Sequence, residues 1–175
     1  HGSDIRFLDT RAERKGEEYI LNGNKIYITN ADIAEFYTVF AQTDLEAGPY
    51  RGISGFIVER ETKGVTPIDI GDKIGLKTTS SCSIEFKDVK IPKKDLLGKE
   101  NHGFIYIMDA INEGRVEIAN QAVGLARGAY DRAVLHARTR EQFGQKIGKF
   151  QNIAHMIVEM SENIESAALL AYKAA

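Results

Sequence analysis

The chain has 175 residues, 43% of them hydrophobic and 27% charged, the balance of an ordinary globular protein and not of a disordered one. Its 23 basic and 25 acidic side chains leave a formal net charge of −2, so it has no field for gripping nucleic acid, and no apolar run is long enough to span a membrane. One cysteine, Cys82, excludes an intrachain disulfide, and no His or Cys stands at ligand spacing, so no bound metal is expected.

In chain order, the opening HGSDIRFLDTRAERK has neither the basic nor the apolar region of a signal peptide. With the lone cysteine this predicts a cytoplasmic protein, or a mitochondrial matrix protein in a eukaryote. Up to Pro92 the apolar residues alternate or come in short β-rich runs broken by Gly, Asn and Asp. The stretch EEYILNGNKIYITN predicts a hairpin, with Tyr19 to Leu21 and Lys25 to Thr29 flanking a type I′ turn at Asn22 and Gly23. Further strands are expected over 36–42, 53–59, 65–70 and 83–89, with DLEAGPYRG as an exposed polar loop, and this spacing suggests a small barrel or sandwich.

After Pro92 the period changes to that of a helix. Gly98, Asn101 and Gly103 precede a stripe of Phe104, Met108, Ile111, Ile118, Ala122, Leu125 and Ala129 that predicts a helix to about Arg138. A second stripe runs through Phe150, Ile153, Ile157, Met160, Ile164 and Ala168 beyond the loop REQFGQKIG, so the two helices are expected to form an antiparallel hairpin. The class expected is α+β, with one domain over 1–97 and another over 98–175. Ala175 carries no stop signal and a two-helix hairpin leaves an apolar face open, so the expectation is a piece of a larger protein, with half of a four-helix bundle.

Motif chemistry is sparse. His102, His136 and His155 stand apart, no Ser/His/Asp set can be assembled, and neither GxGxxG nor GxxxxGK[ST] occurs. Arg115 falls on the apolar stripe of the first helix, where a charge needs either a structural ion pair or an anionic ligand. Gly114, Gly124 and Gly128 inside the same helix imply close helix packing or room for a ligand. The connection holding Arg138, Arg140, Lys146 and Lys149 is either a solvated basic turn or a phosphate contact.

The strings YILNGNKIYITNADIAEFYTVFAQTD, GISGFIVERETKGV, KIGLKTTSSCSIEFKDVKIP, LLGKENHGFIYIMDAINEGRVEIANQAVGLARGAYDRAV and RTREQFGQKIGKFQ together resemble the acyl-CoA dehydrogenase family. They match its middle β-domain and the first helices of its C-terminal domain, in order, along the whole chain. The resemblance implies an FAD enzyme of fatty acid metabolism that oxidises the Cα–Cβ bond of an acyl-CoA, with hydride passing to flavin N5. An electron-transferring flavoprotein would take the electrons, and the assembly would be a homotetramer, a dimer of dimers.

By the same resemblance Tyr27, Ile28 and Thr29 lie beside the isoalloxazine ring, with Thr29 hydrogen-bonding N5, and Ser3 contacts flavin and substrate. Asn112 and Arg115 line the acyl-CoA channel. Arg140, Phe143 and Gln151 bind the adenosine and pyrophosphate of FAD in a neighbouring subunit. One branch of the family places its catalytic glutamate where Gly114 stands here, and Glu113 is rotated off that face. The base is therefore expected outside these residues, in a C-terminal segment, and no catalytic residue is assigned within them. Same-fold acyl-CoA oxidases and flavin monooxygenases, or a non-catalytic β-domain with an oligomerising hairpin, are the alternatives.

Overall fold

The computed structural model describes residues 4–6, 8–48 and 50–175, so the expectation at Ser3 lies outside the described residues. Its strands are Arg11–Lys15 (β1), Glu18–Thr29 (β2), Phe36–Gln42 (β3), Ile53–Glu59 (β4), Val65–Asp69 (β5), Ser81–Pro92 (β6) and Leu96–Leu97 (β7). There follow the helix Gly103–Thr139 (α1), the short strands Glu141–Gln142 (β8) and Gln145–Lys146 (β9), and the helix Gln151–Ala174 (α2). The α+β class stands, and β3, β4, β5 and β6 form where the alternating runs place them.

Seven strands make one sheet in the order β5-β6-β2-β1-β3-β4-β7. The pairings are antiparallel except for β1 with β3, which run parallel and meet at Arg11 and Gln42. This narrow junction joins two antiparallel halves that share one core, built from Tyr19 and Leu21 of β2, Val39 of β3, Phe56 of β4, and Ile84 and Val89 of β6. β5 and β7 remain as the sheet's two edges, so the sheet is not the closed barrel that the sequence left open, and the sandwich is the reading that fits.

The hairpin expected at Asn22 and Gly23 is not formed. β2 passes straight through both residues, and the turn lies earlier, at Gly16 and Glu17, where Lys15 pairs with Glu18 and Gly16 supplies a φ of +67°. The β1 strand escaped the sequence reading because RAERK buries Ala12 alone. The Asn-Gly pair serves two other needs. A side chain at Gly23 would bring Cβ within 2.7 Å of Thr10 Cα, so glycine is required for the chain to pass over β2 there. Asn22 serves a bulge on β6, where Asp88 is the extra residue with φ +50°. The Asn22 Oδ1 accepts the Asp88 backbone N–H at 2.8 Å, and its Nδ2 donates to the Asp88 carboxylate at 3.2 Å.

The described residues divide into two compact units between Met108 and Asp109, a point inside α1. In the second unit α1 and α2 lie antiparallel, with Arg127 and Glu165 paired at 3.5 Å and Gly148 against the carbonyl of Ala137. The groove between them is lined by Ala119, Ala122, Val123 and Ala126 facing Ile164 and Ala167. This corrects the stripe read from the sequence, since Ile118 and Leu125 are exposed. The close packing expected at Gly114, Gly124 and Gly128 is also not made, because each has open space where a Cβ would stand.

Two side chains of the β-unit yield stability tests. Tyr19 is buried against Phe56 with ring centroids 4.9 Å apart, yet among the described residues its hydroxyl has no hydrogen-bond partner. Burial, and then the nearby Glu100 carboxylate, push that phenol above its ordinary value. Removing a stranded polar group while keeping the ring should leave Tyr19→Phe neutral or more stable by about 1 kcal/mol, whereas Tyr19→Ala should lose roughly 3 to 5 kcal/mol. Urea unfolding followed by tyrosine fluorescence checks both, and a clear loss in Tyr19→Phe would show that the hydroxyl is bonded.

Lys25 sits half-buried opposite Ile84, and burial, offset in part by Asp9, lowers its ammonium from 10.5 to about 8. Between pH 8 and 10.5 the unfolded chain therefore holds more protons at this residue than the folded one, and its contribution to stability rises with pH. Below pH 8 the fold carries the full cost of the charge. Lys25→Met should then stabilise the domain at pH 7 by roughly 1 kcal/mol once solvent screening is allowed for. The gain should shrink by pH 10, and an equal gain at both pH values would contradict the assignment.

Candidate functional site

The end of β2 is shaped by a second bulge. From Lys25 to Ile28 this strand spends one residue more than β6 spends from Ile84 to Cys82. Tyr27 absorbs the difference with a φ of +59°, a left-handed conformation that an aromatic residue keeps only where its surroundings impose it. Ile26 and Tyr27 are both turned outward, Tyr27 to 74% exposure, while Ile28 packs on the core and Thr29 is exposed again. Tyr27 and Thr29 thus both face outward, by way of a bulge and not of an unbroken strand. Among the described residues the Thr29 hydroxyl has no hydrogen-bond partner.

In the second unit Arg115 is exposed and donates from Nη1 to the Asn112 Oδ1 at 2.8 Å. The buried charge inferred from the apolar stripe is therefore not present within this chain. The partner is a neutral amide one turn away, which leaves most of the guanidinium donors open. Glu113 is an exposed helix carboxylate beside Gly114, as its rotation off the stripe implied.

The connection between the helices is a small hairpin, β8 with β9, closed by Phe143 and Gly144 at φ +53° and +77°. Both central residues are left-handed, the requirement of a type I′ turn, so that turn occurs here and not at Asn22. Phe143 is 92% exposed and meets Phe150 edge-on with centroids 6.1 Å apart. Arg140 fixes the hairpin through its backbone, donating to the His136 carbonyl at 2.8 Å and accepting from Ile147 at 2.9 Å. Its exposed guanidinium pairs with no acid among the described residues. Gln151 opens α2 and is exposed. Lys146 is spent differently: its ammonium bonds Glu141 at 2.6 Å and holds that carboxyl below its ordinary value.

The three interior histidines are exposed, as expected of residues with no shared site. One concave region went unnoticed in the sequence. Tyr50, at φ +65°, packs its ring 4.8 Å from that of Phe104, beside Arg51, Asn101 and His102. These residues belong to a loop read as merely polar and to the approach of α1, so only their tertiary meeting reveals them.

Comparison with known proteins accounts for both halves. Residues 1–89 match the model of the acyl-CoA dehydrogenase middle domain, and residues 101–175 that of the acyl-CoA dehydrogenase C-terminal domain. The short/branched chain specific acyl-CoA dehydrogenase, mitochondrial, of Bos taurus is 40% identical over 174 residues, which is 99% of this chain and 40% of that protein. The caffeyl-CoA reductase-Etf complex subunit CarC of Acetobacterium woodii is 41% identical, over 99% of this chain and 46% of its own length. Among solved structures, butyryl-CoA dehydrogenase from Megasphaera elsdenii superposes with a TM-score of 0.90 at 40% identity, covering 94% of this chain and 43% of that one. The chain spans less than half the length of these relatives. With the middle-domain and C-terminal matches following one another along a single chain, the protein belongs to the acyl-CoA dehydrogenase family.

Proposed function

We propose that this chain is the flavin-binding portion of an FAD-dependent acyl-CoA dehydrogenase, with 1–97 as its middle domain and 98–175 as the first half of its C-terminal domain. The carrying observation is the end of β2, where an exposed Thr29 hydroxyl with no partner among the described residues stands beside a Tyr27 held outward by a strained bulge. An isoalloxazine ring suits that edge, since it needs apolar cover on its face and a hydrogen-bond partner at a ring heteroatom. When bound, FAD supplies the acceptor for the hydride that leaves the acyl chain.

The chain's own residues bind and orient. Thr29 holds the ring by its hydroxyl, and Tyr27 and Ile28 flank it. Arg115, steadied by Asn112, offers its open donors to the acyl-CoA. Arg140, Phe143 and Gln151 present a cation, an aromatic face and an amide at one end of the helical pair, the chemistry that an adenosine diphosphate takes. We assign them to the FAD of a neighbouring subunit in a dimer of dimers. Glu113 faces water, so we place the base that removes the α-proton outside residues 1–175. That a relative is named as a subunit of an Etf complex supports an electron-transferring flavoprotein as the acceptor. No described helix is long and apolar enough to cross a membrane. The single cysteine supports a reducing site, the cytoplasm or a mitochondrial matrix.

Anaerobic bleaching of the flavin by a series of acyl-CoA thioesters tests the reaction class. In the flavin-loaded holoprotein Thr29→Val should lower flavin affinity or the rate of that bleaching by about 3- to 10-fold, the range of one hydrogen bond. Normal flavin content with normal bleaching would remove Thr29 from the site. For Arg140→Ala, sedimentation with and without added FAD should show a weakened assembly that flavin restores in part. An unchanged assembly carrying its full flavin load would argue against the intersubunit role.

A further inference from the structure

We infer that Asn30, Ser80 and Asp32 form a clamp that orients the Thr29 hydroxyl, so that Ser80 and Asp32 are positioning residues for the flavin. The inference rests on the flavin reading of Thr29 proposed above.

Thr29 pairs with Ser81 at the last rung between β2 and β6. Its hydroxyl has no partner of its own among the described residues, so the backbone alone must aim it. For a β-branched side chain that is sufficient, because a fixed φ and ψ restrict χ1. A strand end is, however, where a ladder frays. Here the next residue closes it. Asn30, at φ +58°, donates its backbone N–H to the Ser80 carbonyl at 3.3 Å and accepts the Ser80 N–H on its Oδ1 at 3.3 Å, a reciprocal pair across the two strands.

The clamp is anchored in turn. The Ser80 hydroxyl donates to the Asp32 carboxylate, an interaction that keeps that carboxyl below its ordinary range, and the Cys82 thiol approaches the same hydroxyl at 3.8 Å. The Asp32 carbonyl accepts from the Arg60 guanidinium at 2.6 Å, which ties the turn to the end of β4. The Asn30 carbonyl accepts the Ile33 and Ala34 N–H groups, folding the turn back on itself. Thr29 therefore stands between the Tyr27 bulge and a closed polar network, on a backbone held from both sides.

The test uses the flavin-loaded holoprotein and a double-mutant cycle. Ser80→Ala and Asp32→Ala should each change the ratio of affinities for reduced and oxidised flavin by about 3- to 10-fold, or about 14 to 30 mV for a two-electron couple. Asp32→Asn, which keeps an acceptor for the hydroxyl, should restore the potential. In a Thr29→Val background Ser80→Ala should shift the potential no further. In the flavin-free protein Ser80→Ala should speed amide exchange at Asn30 while leaving the core strands protected. A Ser80→Ala shift that persists in full on Thr29→Val, or no shift where Thr29→Val alone produces one, would overturn the clamp. A Thr29→Val protein with unchanged potential would overturn the flavin reading as well, which separates the two failures.

Discussion

β2 and β6 pair over twelve residues each because their two mismatches fall on opposite strands. The first puts an extra residue, Asp88, on β6; the second puts one, Tyr27, on β2, and the two slips cancel. A one-residue slip left uncorrected would turn every later side chain to the wrong face. Cancellation lets Leu21 and Ile28 at the two ends of β2 both serve the core, while the stretch between them runs in a shifted register. The outward Tyr27 and the exposed Thr29 follow from that constraint, and so does the need for glycine at residue 23, where the chain before β1 crosses.

The sheet's other weak point, the parallel junction of β1 and β3, is handled by a buried amide. Gln42 lies there with its Nε2 donating to the carbonyls of Asp44 at 2.8 Å and Arg51 at 3.2 Å, and its backbone N–H bonding the Thr10 carbonyl at 2.8 Å. One residue thereby secures the segment entering β1 and both ends of the loop from β3 to β4. A buried amide with its donors satisfied is tolerated, and it specifies which strands meet. The Tyr19 hydroxyl, equally buried, has no such partner among the described residues, and its ring packs on Phe56.

The helical unit obeys a different rule. Alanines line the groove between α1 and α2, while large side chains such as Leu125, Leu169 and Tyr172 face outward. The small side chains leave that groove open, and exposed aliphatic and aromatic faces of this extent mark surfaces that other helices or subunits cover. At the β8 to β9 hairpin Phe143 is likewise held left-handed in the open, beside an Arg140 guanidinium that pairs with no acid among the described residues.

The division between what sequence alone determined and what tertiary structure decided follows the range of the interactions. Alternation and helical period are local, so the strands over 36–42 and 53–59 and both helices could be read directly, as could the family from its run of linked segments. Asn22-Gly23 shows the limit. The pair has the φ preferences of a turn, but its side chain and its missing Cβ answer to Asp88 and Thr10, contacts that no local window contains. Phe143-Gly144 is the converse, an unpromising pair made to turn by the helices on either side. Thr29 was legible as a residue, from the motif around it. That its hydroxyl has no partner among the described residues, and that Ser80 and Asp32 stand 48 residues apart in sequence but side by side in space, was decided by β2 and β6 finding each other across the sheet.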